Sequence, residues 1–66
     1  MEQEKAEALA KLIGGEAWNS GGDVYLVTVK RADGNVVAIS DELIAVYPDA
    51  ESVGDESALI SEIFLV

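Results

Sequence analysis

Carboxylates are the main chemistry-bearing groups of this 66-residue chain, which holds 13 Asp and Glu, four Lys and Arg, and no His or Cys. Without thiols or imidazoles the chain has no Cys nucleophile, no His general base and no His or Cys ligand for a metal. A chain this short also has little material from which to build a substrate cleft. We therefore expect a protein that is not an enzyme and that needs no cofactor.

One acid-rich stretch has spacing that invites comparison with a calcium loop. With Asp49 as the first position of an EF-hand loop, Gly54 falls at the required sixth position. Two ligand positions of that loop are instead occupied by Val53 and Ile60, so the motif is incomplete. An irregular Ca²⁺ site in the region 41–56 is kept as an alternative function, because Ca²⁺ accepts six to eight oxygens in flexible geometry.

The acids are concentrated in the second half of the chain. Residues 1–31 hold five acids and all four bases, whereas residues 32–66 hold eight acids and no base. Such a half-chain repels phosphate backbones and anionic lipids, so we expect no direct binding to nucleic acid or to membranes. It attracts a protein partner with a basic surface. The candidate partner-binding residues are Asp41, Glu42, Asp49, Glu51, Asp55 and Glu56.

This charge distribution favours a small acidic protein-binding module, such as an adaptor, an inhibitor or a subunit. A special case is a mimic of nucleic-acid charge that occupies a basic groove on its partner. A structural domain with no dedicated ligand is the second alternative, because acidic surfaces also simply confer solubility.

Two glycine pairs flank the only Trp of the chain. Gly14-Gly15 and Gly21-Gly22 lack the spacing of a dinucleotide-binding loop or a P-loop, and they predict a helix end and a hairpin turn. We expect Trp18 to lie in the core, with an interface anchor as the alternative.

Hydrophobic spacing predicts one helix followed by strands. Apolar residues at intervals of three and four predict an amphipathic helix over 2–13. An Asp-Gly pair at 33–34 predicts a hairpin turn. Two-residue alternation around these turns predicts strands over 16–19, 23–31 and 36–40.

Two further apolar segments suit either a helix or a strand. Residues 43–47 are too few for a typical helix and are rich in β-branched side chains, so a strand is favoured. An acidic loop of turn-forming residues follows over 48–57. Residues 58–66 end in Ile-Phe-Leu-Val, which also favours a strand.

These elements predict a single small acidic domain over residues 1–66. Its fold class is α+β, with one N-terminal amphipathic helix packed on an antiparallel four- to five-stranded β-meander. One helix covers only part of such a sheet, so a homo-oligomer, most simply a dimer, is favoured. The acidic N-terminus is unlike a secretory signal and no apolar run reaches the length of a membrane span, so the cytoplasm is the expected location.

Overall fold

The chain begins with a helix, α1 (Gln3–Ile13), in the computed structural model, which describes residues 1–65. Ala6 and Ala10 are buried in α1, where they pack against Val27 of the sheet. These small side chains allow the helix to lie close to the sheet. The helix ends at Gly14, whose backbone is left-handed (φ 74°) and whose N–H donates to the Ala10 carbonyl. The glycine that predicts the helix end therefore forms it, because only a residue without Cβ adopts this conformation freely.

Five strands follow the helix and form one antiparallel sheet in the order of the sequence. Each strand is joined to the next by a turn or a short segment, so the topology is a meander. The predicted α+β fold, a helix on an antiparallel meander, is confirmed, with five strands. The strands are β1 (Glu16–Gly21), β2 (Val24–Lys30), β3 (Val36–Ile39), β4 (Leu43–Tyr47) and β5 (Ser61–Phe64).

The two ambiguous segments both contain strands, but the second strand is shorter than predicted. Residues 43–47 form β4, as expected. Over the described residues 58–65 only Ser61–Phe64 is a strand, and Ala58 belongs to a 3₁₀ turn. The length of β5 is limited because it pairs only with β4, which has five residues. Val66 lies outside the described residues.

Strand register sorts the side chains onto two faces. Ala17, Val27, Ile39, Ile44 and Ile63 lie side by side across the five strands. The first three of them contact or flank α1, so we call their side of the sheet the α1 face. Side chains one residue away point to the other side, which we call the opposite face.

The opposite face is partly covered by residues 48–60, which we call the covering segment. This segment contains two 3₁₀ turns, Ala50–Ser52 and Glu56–Ala58. Its Val53 and Leu59 pack against a second buried cluster. The cluster consists of Ala38, Ala45 and Tyr47, with Leu26 and Leu43 beside it. The stretch predicted as an acidic loop thus also packs an apolar side chain, Val53, against the sheet.

The N-terminus ties the helix to the sheet. The Met1 ammonium donates to the Tyr25 carbonyl (2.7 Å) and lies 3.4 Å from the Asp41 carboxylate. The Tyr25 N–H donates in turn to the Met1 carbonyl (2.8 Å). Lys5 of α1 also bonds Asp41 (3.0 Å), which lies in the turn between β3 and β4. In residues 1–65 no helix has the length and apolar character needed to cross a membrane.

Candidate binding site

An open, mainly apolar pocket of about 330 Å³ lies between the opposite face and the covering segment. The sheet supplies the apolar lining of this pocket, including Leu26, Ala38 and Ala45, and the covering segment supplies Val53 and Gly54. The volume is at the lower end of the range of small-ligand sites, and it is enough for one or two large side chains. The pocket is therefore the strongest candidate for a binding site.

Trp18 lies at the mouth of this pocket and is 44% exposed. The prediction that it lies in the core is therefore wrong, and its position fits the alternative of an interface anchor. The physical reason is the register. Trp18 pairs with Leu26 on the opposite face, away from α1, and the covering segment does not bury it. Phe64 (65% exposed) and Val24 (56% exposed) also leave apolar surface open on this side of the molecule.

Three polar residues that line the pocket are engaged in local hydrogen bonds. The Ser40 hydroxyl donates to the Leu43 carbonyl (3.1 Å) and accepts from the Leu43 N–H (3.2 Å). The Ser20 hydroxyl donates to the Val24 carbonyl (3.3 Å). In the β1–β2 turn, the Asn19 side-chain N–H donates to the Gly22 carbonyl and its side-chain oxygen accepts from the Gly21 N–H. These hydrogen bonds fix the two turns at the pocket.

Carboxylates border the pocket on two sides. Glu16 and Glu51 line a neighbouring depression together with Trp18. Asp41 and Glu42 line another depression with Val24 and Ser40. An apolar centre with an acidic margin on either side can accept an apolar group that carries positive charge at its flanks.

The two border acids in the β3–β4 turn differ in their surroundings. Asp41 accepts a hydrogen bond from Lys5 and also faces the Met1 ammonium, and the Lys5 bond is the main cause that lowers the pKa of Asp41 below its ordinary value. Glu42 is its exposed neighbour. Asp41 thus carries a charge that the molecule already partly compensates, and Glu42 is the better placed of the two to meet a partner.

Two acids of the covering segment have a structural use. Asp49 accepts from the Ser52 N–H (2.9 Å) and from the Ser52 hydroxyl (2.8 Å), which caps the first 3₁₀ turn. Asp55 makes the same pair of bonds with Ser57 (3.0 and 2.7 Å), and the hydroxyl bond is the main cause that lowers the Asp55 pKa. These carboxylates shape the segment that closes the pocket.

The six acids singled out from the sequence do not form one cluster. Asp41 and Glu42 precede β4, whereas the other four follow it. Within residues 1–65 no group of three or more Asp or Glu side chains is arranged to hold a metal ion. The structure therefore adds no support to the calcium alternative.

The residues that sequence reasoning missed are Glu16 and Val53. Two-residue alternation places Glu16 on the same face as Trp18, so a signal for this pair existed. No local signal could place Val53 over the sheet, because that contact depends on the path of a segment between two strands.

Comparison of the chain with protein-family models, with curated proteins and with solved structures finds no significant match in any of the three. We therefore describe the protein by its architecture. One helix packs on a five-stranded antiparallel meander, and an apolar pocket lies on the side of the sheet away from the helix.

Proposed function

We propose that this protein is a non-enzymatic binding module whose partner is a protein segment with apolar side chains framed by basic ones. The observation that carries the proposal is the apolar pocket at Trp18 with carboxylates on both sides of it. Tryptophan is among the residue types that contribute most to protein interfaces, and it is most effective beside a pocket that excludes water. The module acts as an adaptor, an inhibitor or a subunit.

The two parts of the site have different tasks. An apolar side chain of the partner enters the pocket and contacts Trp18, and this contact supplies most of the affinity. Lys or Arg residues beside that side chain face Glu42 on one border and Glu51 on the other. These charges speed association and select against acidic partners more than they add affinity.

The border arrangement favours a partner held by an apolar anchor over the charge-mimic version of the same function. A mimic of nucleic acid needs carboxylates spaced along one surface to imitate phosphates. Here Asp49 and Asp55 cap turns and Asp41 is paired with Lys5, so three of the six acids are already engaged. An apolar anchor with a few bordering charges is the simpler use of this surface. The cytoplasm is the proposed location, on the sequence argument alone.

A titration followed by tryptophan fluorescence tests the proposal, because Trp18 is the only Trp in the chain. The probes are two synthetic amphipathic peptides without Trp, one of Leu and Lys and one of Leu and Glu. We expect the Leu/Lys peptide to shift the Trp18 emission and to saturate, and the Leu/Glu peptide to leave it unchanged. Equal binding of the two peptides would contradict a site with an acidic border.

Charge reversal distinguishes binding at this site from general electrostatic attraction of a basic peptide to an acidic protein. The double variant Glu42→Lys with Glu51→Lys should raise the Kd for the Leu/Lys peptide about tenfold or more. The matched control, Glu4→Lys with Glu7→Lys, makes the same charge change on exposed positions of α1. If the two double variants weaken binding equally, the peptide senses only net charge and the site is refuted.

A further inference from the structure

The helix covers only about half of the α1 face. The helix packs on β1 and β2, and strands β3 to β5 have no comparable cover on this side. The bare part carries Val37, Ile44, Val46 and Ile63, all apolar, and Ile63 is 66% exposed. This surface is distinct from the pocket, which lies on the opposite face.

The helix borders the bare strands with an apolar flank. The bond between Lys5 and Asp41 shows which flank this is, because Asp41 lies in the turn between β3 and β4. Leu9 and Leu12 follow Lys5 by four and seven residues, so they lie on the same flank of the helix. Leu12 is 82% exposed, the highest exposure of any large apolar side chain in residues 1–65. Because α1 stands above one side of the sheet, its flank and the bare strands meet in an apolar corner, which we call the groove.

Of the eight acids of residues 32–66, only Asp41 borders this groove, where it is paired with Lys5 and with the Met1 ammonium. Three of the eight are in turns, four are in the covering segment, and Glu62 is on the opposite face next to Ala45. The helix region adds Glu2, Glu4 and Glu7, but also Lys5 and Lys11. Repulsion between two copies of a chain with a net charge of −9 is therefore smaller when the α1 faces meet than when the sides that carry the covering segment meet. A basic partner, by contrast, is attracted to the other side of the molecule.

The shape of the α1 face complements itself. One half is raised by a helix and the other half is a groove beside that helix. A two-fold axis between two copies places each helix in the groove of the other, which is the arrangement that an isologous dimer requires. The molecule measures 28 × 22 × 22 Å, so one face offers at most about 600 Å² in projection, and nearly the whole face must be covered to approach the ~800 Å² of accessible surface per partner in a standard interface.

We propose that the groove beside α1 is a homodimer interface, occupied by the α1 helix of a second copy. Leu12 of each copy contacts the bare strands of the other, and the two pockets remain open on the outside of the dimer. The dimer presents two copies of the proposed partner site. This proposal does not depend on that site, because the two use different faces.

Mass measurement by light scattering or sedimentation, from micromolar to about millimolar protein at physiological salt, tests the proposal. We expect the wild-type protein to reach twice the chain mass of 7.0 kDa. Leu12→Glu should return it to the monomer mass, since this exposed position tolerates the change without unfolding. Ile63→Glu, in a strand rather than the helix, should do the same.

Phe64→Glu is the matched control, because Phe64 neighbours Ile63 on β5 but points to the opposite face and is equally exposed. This variant should stay a dimer. A wild-type protein that is monomeric over the whole range refutes the proposal. A dimer that Phe64→Glu breaks and Leu12→Glu leaves intact also refutes it, because the contact would then lie on the other face.

Discussion

Asp41 is the residue at which the N-terminus, the helix and the β3–β4 turn meet. It accepts from Lys5 at 3.0 Å and lies 3.4 Å from the Met1 ammonium. The pKa of Asp41 is lowered, first by the Lys5 hydrogen bond, so its ionised form is favoured in the folded protein. The sequence marks Asp41 only as a candidate for contact with a partner, whereas the structure gives it a role in holding α1 in place.

We expect Asp41→Asn to lower the Tm at neutral pH. Because the folded pKa of Asp41 is below its unfolded value, the stabilisation is fully present above the unfolded pKa and is lost as the pH falls through the folded pKa. The Tm difference between variant and wild type should therefore be constant at pH 5 to 7 and should shrink below about pH 4. Thermal unfolding followed by circular dichroism across this range measures it.

Glu42→Gln is the control for this prediction, since it removes the same charge one residue away. Its effect on the Tm at neutral pH should be smaller than that of Asp41→Asn. A Tm loss for Asp41→Asn that persists unchanged at pH 2.5 would show that the lost carboxylate charge is not the cause.

Gly15 is required for a different reason from Gly14, although both follow the helix. A Cβ at position 15 would collide with the carbonyl oxygen of Thr28, whereas position 14 has open space and a left-handed backbone. The close approach of two backbones at Gly15 lets α1 and β2 meet with little space between them.

We expect Gly15→Ala to lower the free energy of unfolding by roughly 1–3 kcal/mol, because the backbone of β2 or of the helix connection must shift. Urea unfolding measures the loss. Gly34→Asn is the control: Gly34 lies in open space in the β2–β3 turn with a positive φ, which Asn tolerates, so a change of about 1 kcal/mol or less is expected. Equal losses in the two variants would contradict the role of the Thr28 contact.

At the scale of elements, the covering segment is the feature that separates this fold from a bare meander. Leu59 and Ile60 are adjacent apolar residues that the sequence treats alike. In the structure Leu59 packs against the cluster around Tyr47, while Ile60 is 55% exposed. Of these two residues, Leu59 is therefore the one whose side chain holds the covering segment against the sheet.

Leu59→Ala should lower the free energy of unfolding by about 1–2 kcal/mol. This is less than the loss at a core leucine, because Leu59 is only half-buried. Ile60→Ala should change it by about 0.5 kcal/mol or less, as expected of an exposed position. Urea unfolding of both variants, with the slope of the transition compared, measures the difference. Equal losses would mean that the covering segment does not pack as described.

At the scale of the whole molecule, the acids outnumber the bases by nine and little of this charge is paired. In residues 1–65 the ion pairs are those of Asp41 with Lys5 and the N-terminus, and of Asp33 with Arg31 (3.1 Å). Four of the remaining acids lie close together in the covering segment, where they repel one another, and this repulsion opposes folding.

We therefore expect the Tm to rise between 10 and 150 mM NaCl, because added salt screens this repulsion. The double variant Glu51→Gln with Glu56→Gln should raise the Tm at low salt and flatten the salt dependence. Thermal unfolding at several salt concentrations measures both effects. A wild-type Tm that does not change with salt would show that the acids are too dispersed to oppose folding.

Local patterns were sufficient for the elements and their order. The three- and four-residue spacing of Ala6, Leu9, Ala10 and Ile13 predicts α1. The Gly14 helix end and the Asp33-Gly34 turn fall where the structure has them. Alternation also predicts which residues of β2 share a face, and the register confirms it. These features depend on backbone conformation and on neighbours within a few residues, which the sequence displays directly.

The binding surfaces were decided only by the tertiary structure. The sequence alone determined a small acidic α+β domain, the absence of thiol and imidazole chemistry, and the excess of acids after residue 31. It could not determine that Val53 covers the sheet, that Trp18 is left at a pocket mouth, or that Asp41 is paired with Lys5. Each of these contacts joins residues far apart in the chain. They form only once the helix has packed on one face of the sheet and the covering segment on the other, because both faces carry apolar side chains.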